Sequence, residues 1–149
     1  MTAQPASTFS APLTAISTTN APGAVGPYSQ AVRTGDLLFV SGQLPIDPAT
    51  GVFALGGIGA ETTQSLRNAE AILLEAGTSL DNVVKTTVLV TDLADFAEIN
   101  AAYGAVFTGP VQPARAAYQV AALPMGARVE VELVAACRPV DSVEETSRA

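Results

Sequence analysis

The chain has no histidine, no tryptophan and a single cysteine, Cys137, in 149 residues. Each absence removes some chemistry. Without histidine there is no Ser-His-Asp or Cys-His nucleophilic site, no HExxH zinc motif and no imidazole proton shuttle. One cysteine with no histidine also leaves a structural zinc site without its ligand set. A lone cysteine forms no intrachain disulfide, which is the usage expected of a chain kept in a reducing compartment. Cys137 lies in an apolar run, where the expected role is that of a small core residue.

Charge is scarce as well. Charged residues make up 14% of the chain, against about 25% in an average soluble domain. The seven cations, Arg33, Arg67, Lys85, Arg115, Arg128, Arg138 and Arg148, are scattered singly, and the net charge is −7 with a pI near 4.3. Nucleic-acid binding needs clustered Lys and Arg to displace counterions from phosphates, so neither RNA nor DNA is the expected ligand. Part of the negative charge belongs to a C-terminal run with Asp141, Glu144 and Glu145. No apolar run reaches the roughly 18 residues that a membrane span needs. The first twenty residues also lack the basic start and apolar centre of a secretory signal. The expectation is a cytoplasmic protein with no membrane and no nucleic-acid partner.

What is abundant is apolar. Hydrophobic residues make up 48% of the chain and the mean hydropathy is +0.34, which leaves little polar surface for a monomer of this size. Part of the apolar surface is therefore expected to be buried between subunits. The length fits one domain, read here as residues 16–139, between a flexible extension at 1–15 and a frayed tail at 140–149.

The pattern along the chain alternates strand and helix signals. Ala21-Pro-Gly-Ala-Val-Gly-Pro-Tyr28 is a stiff, turn-rich entry. It leads into strands at 29–33 and 37–42, joined by a tight Thr34-Gly35-Asp36 turn. The two prolines and the glycine between Leu44 and Gly51 require a loop. Leu66, Ala69, Leu73 and Ala76 then recur at helical spacing within 61–76, with Arg67, Asn68 and Glu75 off that stripe and Gly77 as the stop. Residues 83–91 are β-branched almost throughout and read as a central strand. Asp95 and Glu98 have capping-box spacing ahead of a second helix with Phe96, Ile99, Tyr103 and Val106 or Phe107 on its buried face. Gly109-Pro110 ends it, and strands at 115–122 and 128–137 follow around a Leu123-Pro-Met-Gly126 turn. The order ββαβαββ predicts an α+β fold with two helices over a mixed or antiparallel sheet.

Arg115 is the first functional candidate. A guanidinium at the head of a half-buried strand must be paired, and its planar fork suits bidentate binding of a carboxylate. If 123–126 closes a hairpin, Arg115 and Glu130 are offset by four residues, about 13 Å along the strands, too far for a direct pair. A ligand or a second subunit is then the expected partner. Glu130 and Glu132 share one strand face, and in a chain without histidine a carboxylate is the group left to orient or deprotonate a water. Residue chemistry does not choose between the two. Tyr28 after the rigid Gly-Pro, the Ser41-Gly42 strand end and Asn100 on the second helix are weaker candidates for a pocket lining. Asn68 and Tyr103 read as structural.

Five segments together resemble the RidA family, also called YjgF. They are Gly26-Pro-Tyr-Ser-Gln-Ala31, Val40-Ser-Gly-Gln-Leu-Pro45, Leu80-Asp-Asn-Val-Val-Lys-Thr-Thr-Val88, Pro113-Ala-Arg115, and Leu123-Pro followed by Val129-Glu-Val-Glu132. The resemblance implies a chorismate-mutase-like fold, with a mixed β-sheet carrying two helices on one face, assembled as a homotrimer with clefts between subunits. It implies hydrolytic deamination of reactive enamines and imines without metal or organic cofactor, 2-aminoacrylate giving pyruvate and ammonia by way of 2-iminopropanoate. By position, Arg115 matches the arginine that grips the substrate carboxylate and Glu130 the acid that orients the attacking water. Tyr28, Ser41, Gly42 and Asn100 match pocket-lining positions. Ala116 stands where Ser or Thr is frequent, Ala117 where well-known members carry Cys, and the 107–113 connection is short. These departures leave the substrate open to longer 2-imino acids or an aminomuconate-type compound. Two alternative readings are a non-catalytic trimer that binds small carboxylates such as 2-oxobutanoate, and, further off, a ribonuclease or translation inhibitor.

Overall fold

The computed structural model describes residues 11–137. It contains one six-stranded sheet and two helices, and they explain most of the hydrophobic pattern. The strands are β1 (Leu13–Ile16), β2 (Ala31–Thr34), β3 (Leu37–Gln43), β4 (Val83–Val90), β5 (Ala114–Gln119) and β6 (Val129–Ala136). The helices are α1 (Ile58–Glu75) and α2 (Phe96–Val106). The sheet order is β1-β2-β3-β6-β4-β5. All neighbours are antiparallel except β4 and β5, which run parallel with α2 as their crossover.

The predicted α+β class with a mixed sheet is the one observed, and three details differ. The sheet starts earlier than expected, because Leu13–Ile16 pairs with Ala31–Thr34 as an edge strand whose first three residues fall in the stretch read as a flexible extension. Those four residues, with Leu13 mostly exposed and Ile16 only partly buried, carry too weak an alternation to be seen from pattern alone. The remainder of the extension before residue 11, and the predicted tail at 140–149, lie outside the described residues. The 123–126 turn does not close a hairpin. It carries the chain across β4, so that β6 enters the middle of the sheet between β3 and β4. Adjacency in sequence suggested pairing, whereas burial decided the order. β6 alternates Val129, Val131, Leu133 and Ala135, all 2% exposed or less, and only a central position covers them.

The second helix is also entered differently. Asp95 makes no side-chain cap; Asp92 accepts from the Ala94 amide at 2.9 Å and caps the short 3₁₀ turn (Leu93–Asp95) that runs into α2. α1 ends as its glycine predicted. Gly77 has φ +77, and the Thr78 amide reaches back to the Leu73 carbonyl at 3.0 Å in a Schellman closure.

Both helices cover the same sheet face. Leu66, Ile72 and Leu73 of α1 and Ile99 and Tyr103 of α2 pack on Leu38, Val40, Val88, Val90, Val129 and Val131. Asn68, expected off the apolar stripe, is buried there. Its amide donates to the Leu44 and Ile46 carbonyls at 3.0 and 2.8 Å, anchoring the proline-rich loop to α1. The other face has no helix. It presents Leu37 and Phe39, both more than two-fifths exposed, and Phe39 lines an open concavity of about 480 Å³ with Val32, Ser41, Lys85, Thr87, Glu132 and Val134.

Candidate active site

Arg115 stands on the edge strand β5, between alanines that leave room for its stem. Its register partner on β4 is Thr86, a residue fully buried beneath α2, so the arginine leaves the sheet on the helix side. Three residues of α2 meet it at i, i+4 and i+7, which brings them to one helix face. Asn100 Oδ1 accepts from the guanidinium at 2.8 Å. The Tyr103 ring lies 4.7 Å and the Phe96 ring 5.4 Å from the guanidinium carbon, both within cation–π range. Among the described residues Arg115 meets no carboxylate; the salt bridge recorded there joins Arg128 to Glu61 at 2.6 Å. The arginine is solvent-exposed, oriented by an amide oxygen and two ring faces, with its charge uncompensated.

Glu130 belongs to a second cluster. It pairs across β6–β4 with Leu89, three residues along β4 from Thr86. An odd separation reverses the direction of a strand side chain, so Glu130 leaves the sheet on the face without helices. The offset along β4 is about 10 Å. Glu130 lies against Gly42, where a Cβ would come within 2.7 Å of the carboxyl carbon. Burial pushes the Glu130 carboxyl above the usual carboxylate range, and the neighbouring Glu132 adds to the rise.

Gly42 itself sits in the irregular register between Val40 and Gln43, where β3 bulges away from β6. It shares a small recess of about 30 Å³ with Tyr28, Pro22 and Val25. Tyr28 is half exposed, and its hydroxyl accepts from the Val25 amide at 3.3 Å. The Ser41 hydroxyl donates to the Ser29 carbonyl at 2.7 Å, tying the Tyr28 turn to β3. Gln30, which sequence reasoning passed over, is the other tie. Buried at 4% exposure, its side chain accepts from the Thr18 amide at 2.7 Å and donates to the Pro22 carbonyl at 2.8 Å. The sequence held it inside the Gly26-Pro-Tyr-Ser-Gln-Ala31 motif, but nothing in its residue type marked it as a buried tie.

The predicted residues thus form two groups. Arg115 and Asn100 come together on the α2 side of the β5 edge. Glu130 lies against Gly42, which shares its recess with Tyr28, and Ser41 ties the Tyr28 turn to β3. Glu132, the alternative acid, points into the concavity beside Lys85 and Thr87. Ala116 pairs with Thr87 and faces the open side, whereas Ala117 pairs with Val88 and shares the helix side with Arg115. Tyr103, read as structural, proves to be a direct neighbour of Arg115. Its spacing from Phe96 and Asn100 was the available signal.

Residues 18–137 match the family described as Endoribonuclease L-PSP. The RutC family protein y4sK of Sinorhizobium fredii is 61% identical over 119 residues, which cover 80% of this chain and 94% of that protein. The 2-iminobutanoate/2-iminopropanoate deaminase of Mus musculus is 52% identical over 124 residues, covering 83% of this chain and 91% of the mouse protein. The crystal structure of the YjgF gene product from E. coli superposes with a TM-score of 0.80 at 44% identity, covering 84% of this chain and 99% of that one. On the family match and these likenesses, the chain belongs to the Endoribonuclease L-PSP family, the RidA (YjgF) family of its five motifs.

Proposed function

We propose that the protein is a deaminase of 2-imino acids, converting 2-iminobutanoate or 2-iminopropanoate and water to the 2-oxo acid and ammonia. The observation that carries this reading is Arg115, an oriented and unneutralised guanidinium at an edge. Its fork would hold the substrate carboxylate by two parallel hydrogen bonds. A water held by Glu130 adds to the imine carbon, and the carboxylate accepts its proton as the C–O bond forms. Glu130 returns that proton to the nitrogen, giving the tetrahedral hydroxy-amine. It then takes the hydroxyl proton and passes it to the nitrogen as the C–N bond breaks, so that ammonia leaves and the C=O forms. A carboxyl whose pKa is raised toward neutrality suits both transfers. The reaction needs only water, a grip on the substrate and a proton acceptor, and holding these together is the main contribution.

Because the two groups leave the sheet on opposite faces, the reading requires a second copy of the chain. Each cleft would take Arg115 and Asn100 from one subunit and Tyr28, Ser41, Gly42 and Glu130 from its neighbour. A homotrimer with three such clefts fits this, and the apolar open face with Leu37 and Phe39 supplies surface to bury. No helix among the described residues is long and apolar enough to cross a membrane. A cytoplasmic setting goes with this reading, since a chain with one cysteine needs no oxidising compartment.

The test is a coupled assay in which an enzyme releasing 2-aminoacrylate feeds the wild type, Arg115→Ala or Glu130→Ala, with pyruvate release recorded. The wild type is expected to accelerate release and both variants to lose the acceleration. A wild type that binds 2-oxobutanoate through Arg115 while leaving the imine untouched would replace the deaminase reading by that of a carboxylate-binding regulator. Ribonuclease activity, despite the family's description, conflicts with a net charge of −7 and cations that are dispersed.

A further inference from the structure

We propose that Tyr103, fixed by Thr86, is a positioning residue for the Arg115 guanidinium and sets how tightly the site holds a small carboxylate. The inference rests on the reading of Arg115 as the carboxylate anchor. An arginine on an exposed edge strand ordinarily samples many rotamers, and each must be given up when a ligand binds. Here the α2 side supplies the order in advance. The Tyr103 ring face lies 4.7 Å from the guanidinium carbon and Phe96 lies outside it at 5.4 Å. Ring faces attract the cation without accepting its N–H groups. Among the described residues only Asn100 takes a conventional hydrogen bond, so the remaining donors stay available for a carboxylate. A carboxylate in place of Tyr103 would orient the arginine equally well and neutralise it.

The phenol explains why the ring holds its place. The Tyr103 hydroxyl and Thr86 Oγ1 are 2.7 Å apart in a buried hydrogen bond. Thr86 is also the β4 residue directly beside Arg115 in the parallel ladder. The ring is therefore tied to the rung from which the arginine departs, closing a loop of strand pairing, hydrogen bond and cation–π contact. Tyr103 is 7% exposed, which makes it a support for Arg115 rather than a ligand contact. Desolvation raises the phenol pKa against the opposing pulls of Thr86 and Arg115, so the ring stays neutral beside the cation.

The full-length protein and its Tyr103→Leu, Tyr103→Phe and Thr86→Val variants are titrated with 2-oxobutanoate, a stable 2-oxo acid. Melting temperature and the isotope-edited NMR signal of the Arg115 Nε–H are followed in parallel. Tyr103→Leu is expected to weaken binding about tenfold, to raise KM for the imine with kcat within about threefold, and to broaden the Arg115 signal. Tyr103→Phe and Thr86→Val keep a ring but lose the tether, and each is expected to weaken binding by about threefold. A Tyr103→Leu protein with a lowered melting temperature but wild-type affinity and a sharp Arg115 signal would overturn the proposal. Should that variant not fold, wild-type affinity in both tether variants would overturn it instead. Affinity and the NMR signal do not depend on turnover. A wild type that binds 2-oxobutanoate through Arg115 and hydrolyses no imine therefore removes the deaminase reading and leaves the positioning role to be judged on its own readouts.

Discussion

Gly42 makes room for Glu130. A methyl group on Gly42 would overlap the Glu130 carboxylate, reaching 2.7 Å from Cδ and 3.0 Å from Cγ. No positive φ is involved at this position, so the requirement is space and not backbone freedom. Gly42→Ala should push Glu130 off its place beside the bulge while leaving the strand intact. The expected result is a fall in kcat of about ten- to a hundredfold with a small change in melting temperature. Unchanged turnover in Gly42→Ala would mean that the placement of Glu130 is immaterial.

The acid limb of the pH profile should lie above the ordinary glutamate range. In the proposed mechanism Glu130 is the base and works only when ionised, and burial raises its pKa, with Glu132 adding to the rise. Activity should therefore fall as pH drops through that raised value. For stability the sign is opposite. A raised folded-state pKa favours the protonated form, so this group's contribution is fully present below the unfolded pKa and is lost as pH rises through the folded pKa. Glu130→Gln should thus melt no lower than wild type at neutral to mildly alkaline pH, by a margin that solvent screening keeps small, while activity disappears. Paired melting and rate measurements from pH 4 to 8 test both signs.

Arg115→Lys keeps the charge and loses the fork. Lysine is a point charge that cannot reproduce two parallel hydrogen bonds or lie flat on the Tyr103 ring. The affinity for 2-oxobutanoate should fall about ten- to a hundredfold, nearly as far as in Arg115→Ala. Calorimetric titration of the three proteins decides it, and a lysine variant near wild type would show that charge alone suffices.

Asn68→Ala should damage the fold and not the chemistry. It strands the Leu44 and Ile46 carbonyls, which accept from the buried amide at 3.0 and 2.8 Å. Unsatisfied buried acceptors cost about 1–3 kcal/mol. Urea unfolding should report that loss, with the 2-oxobutanoate affinity of the remaining folded protein close to wild type.

Periodicity and punctuation made most of the fold legible. Leu66, Ala69 and Leu73 predicted α1 and Gly77 its end, and the β-branched run at 83–91 predicted the central strand, observed as β4 over Val83–Val90. The order of strands was not legible, because pairing is decided by which apolar faces need covering, and a turn such as 123–126 looks alike whether it closes a hairpin or crosses a neighbour. The candidate residues were found as types, Arg115 for its rarity and Glu130 by resemblance. Their division between two faces was hidden, since it depends on the register of β5 and β6 against a shared β4. Tyr103 was missed for a related reason. An aromatic at helical spacing reads as core until the strand residue it covers is known to be an arginine.

The opposite facing of Arg115 and Glu130 has a genetic consequence. In the cleft proposed above, shared between neighbouring subunits, chains damaged at one position keep the half-site that chains damaged at the other have lost. An equal mixture of Arg115→Ala and Glu130→Ala subunits, unfolded and reassembled together, would regain about a quarter of the wild-type clefts by random association. Two inactive alleles would complement each other in one cell, and a heterozygote's activity would follow from how its subunits are dealt around each ring.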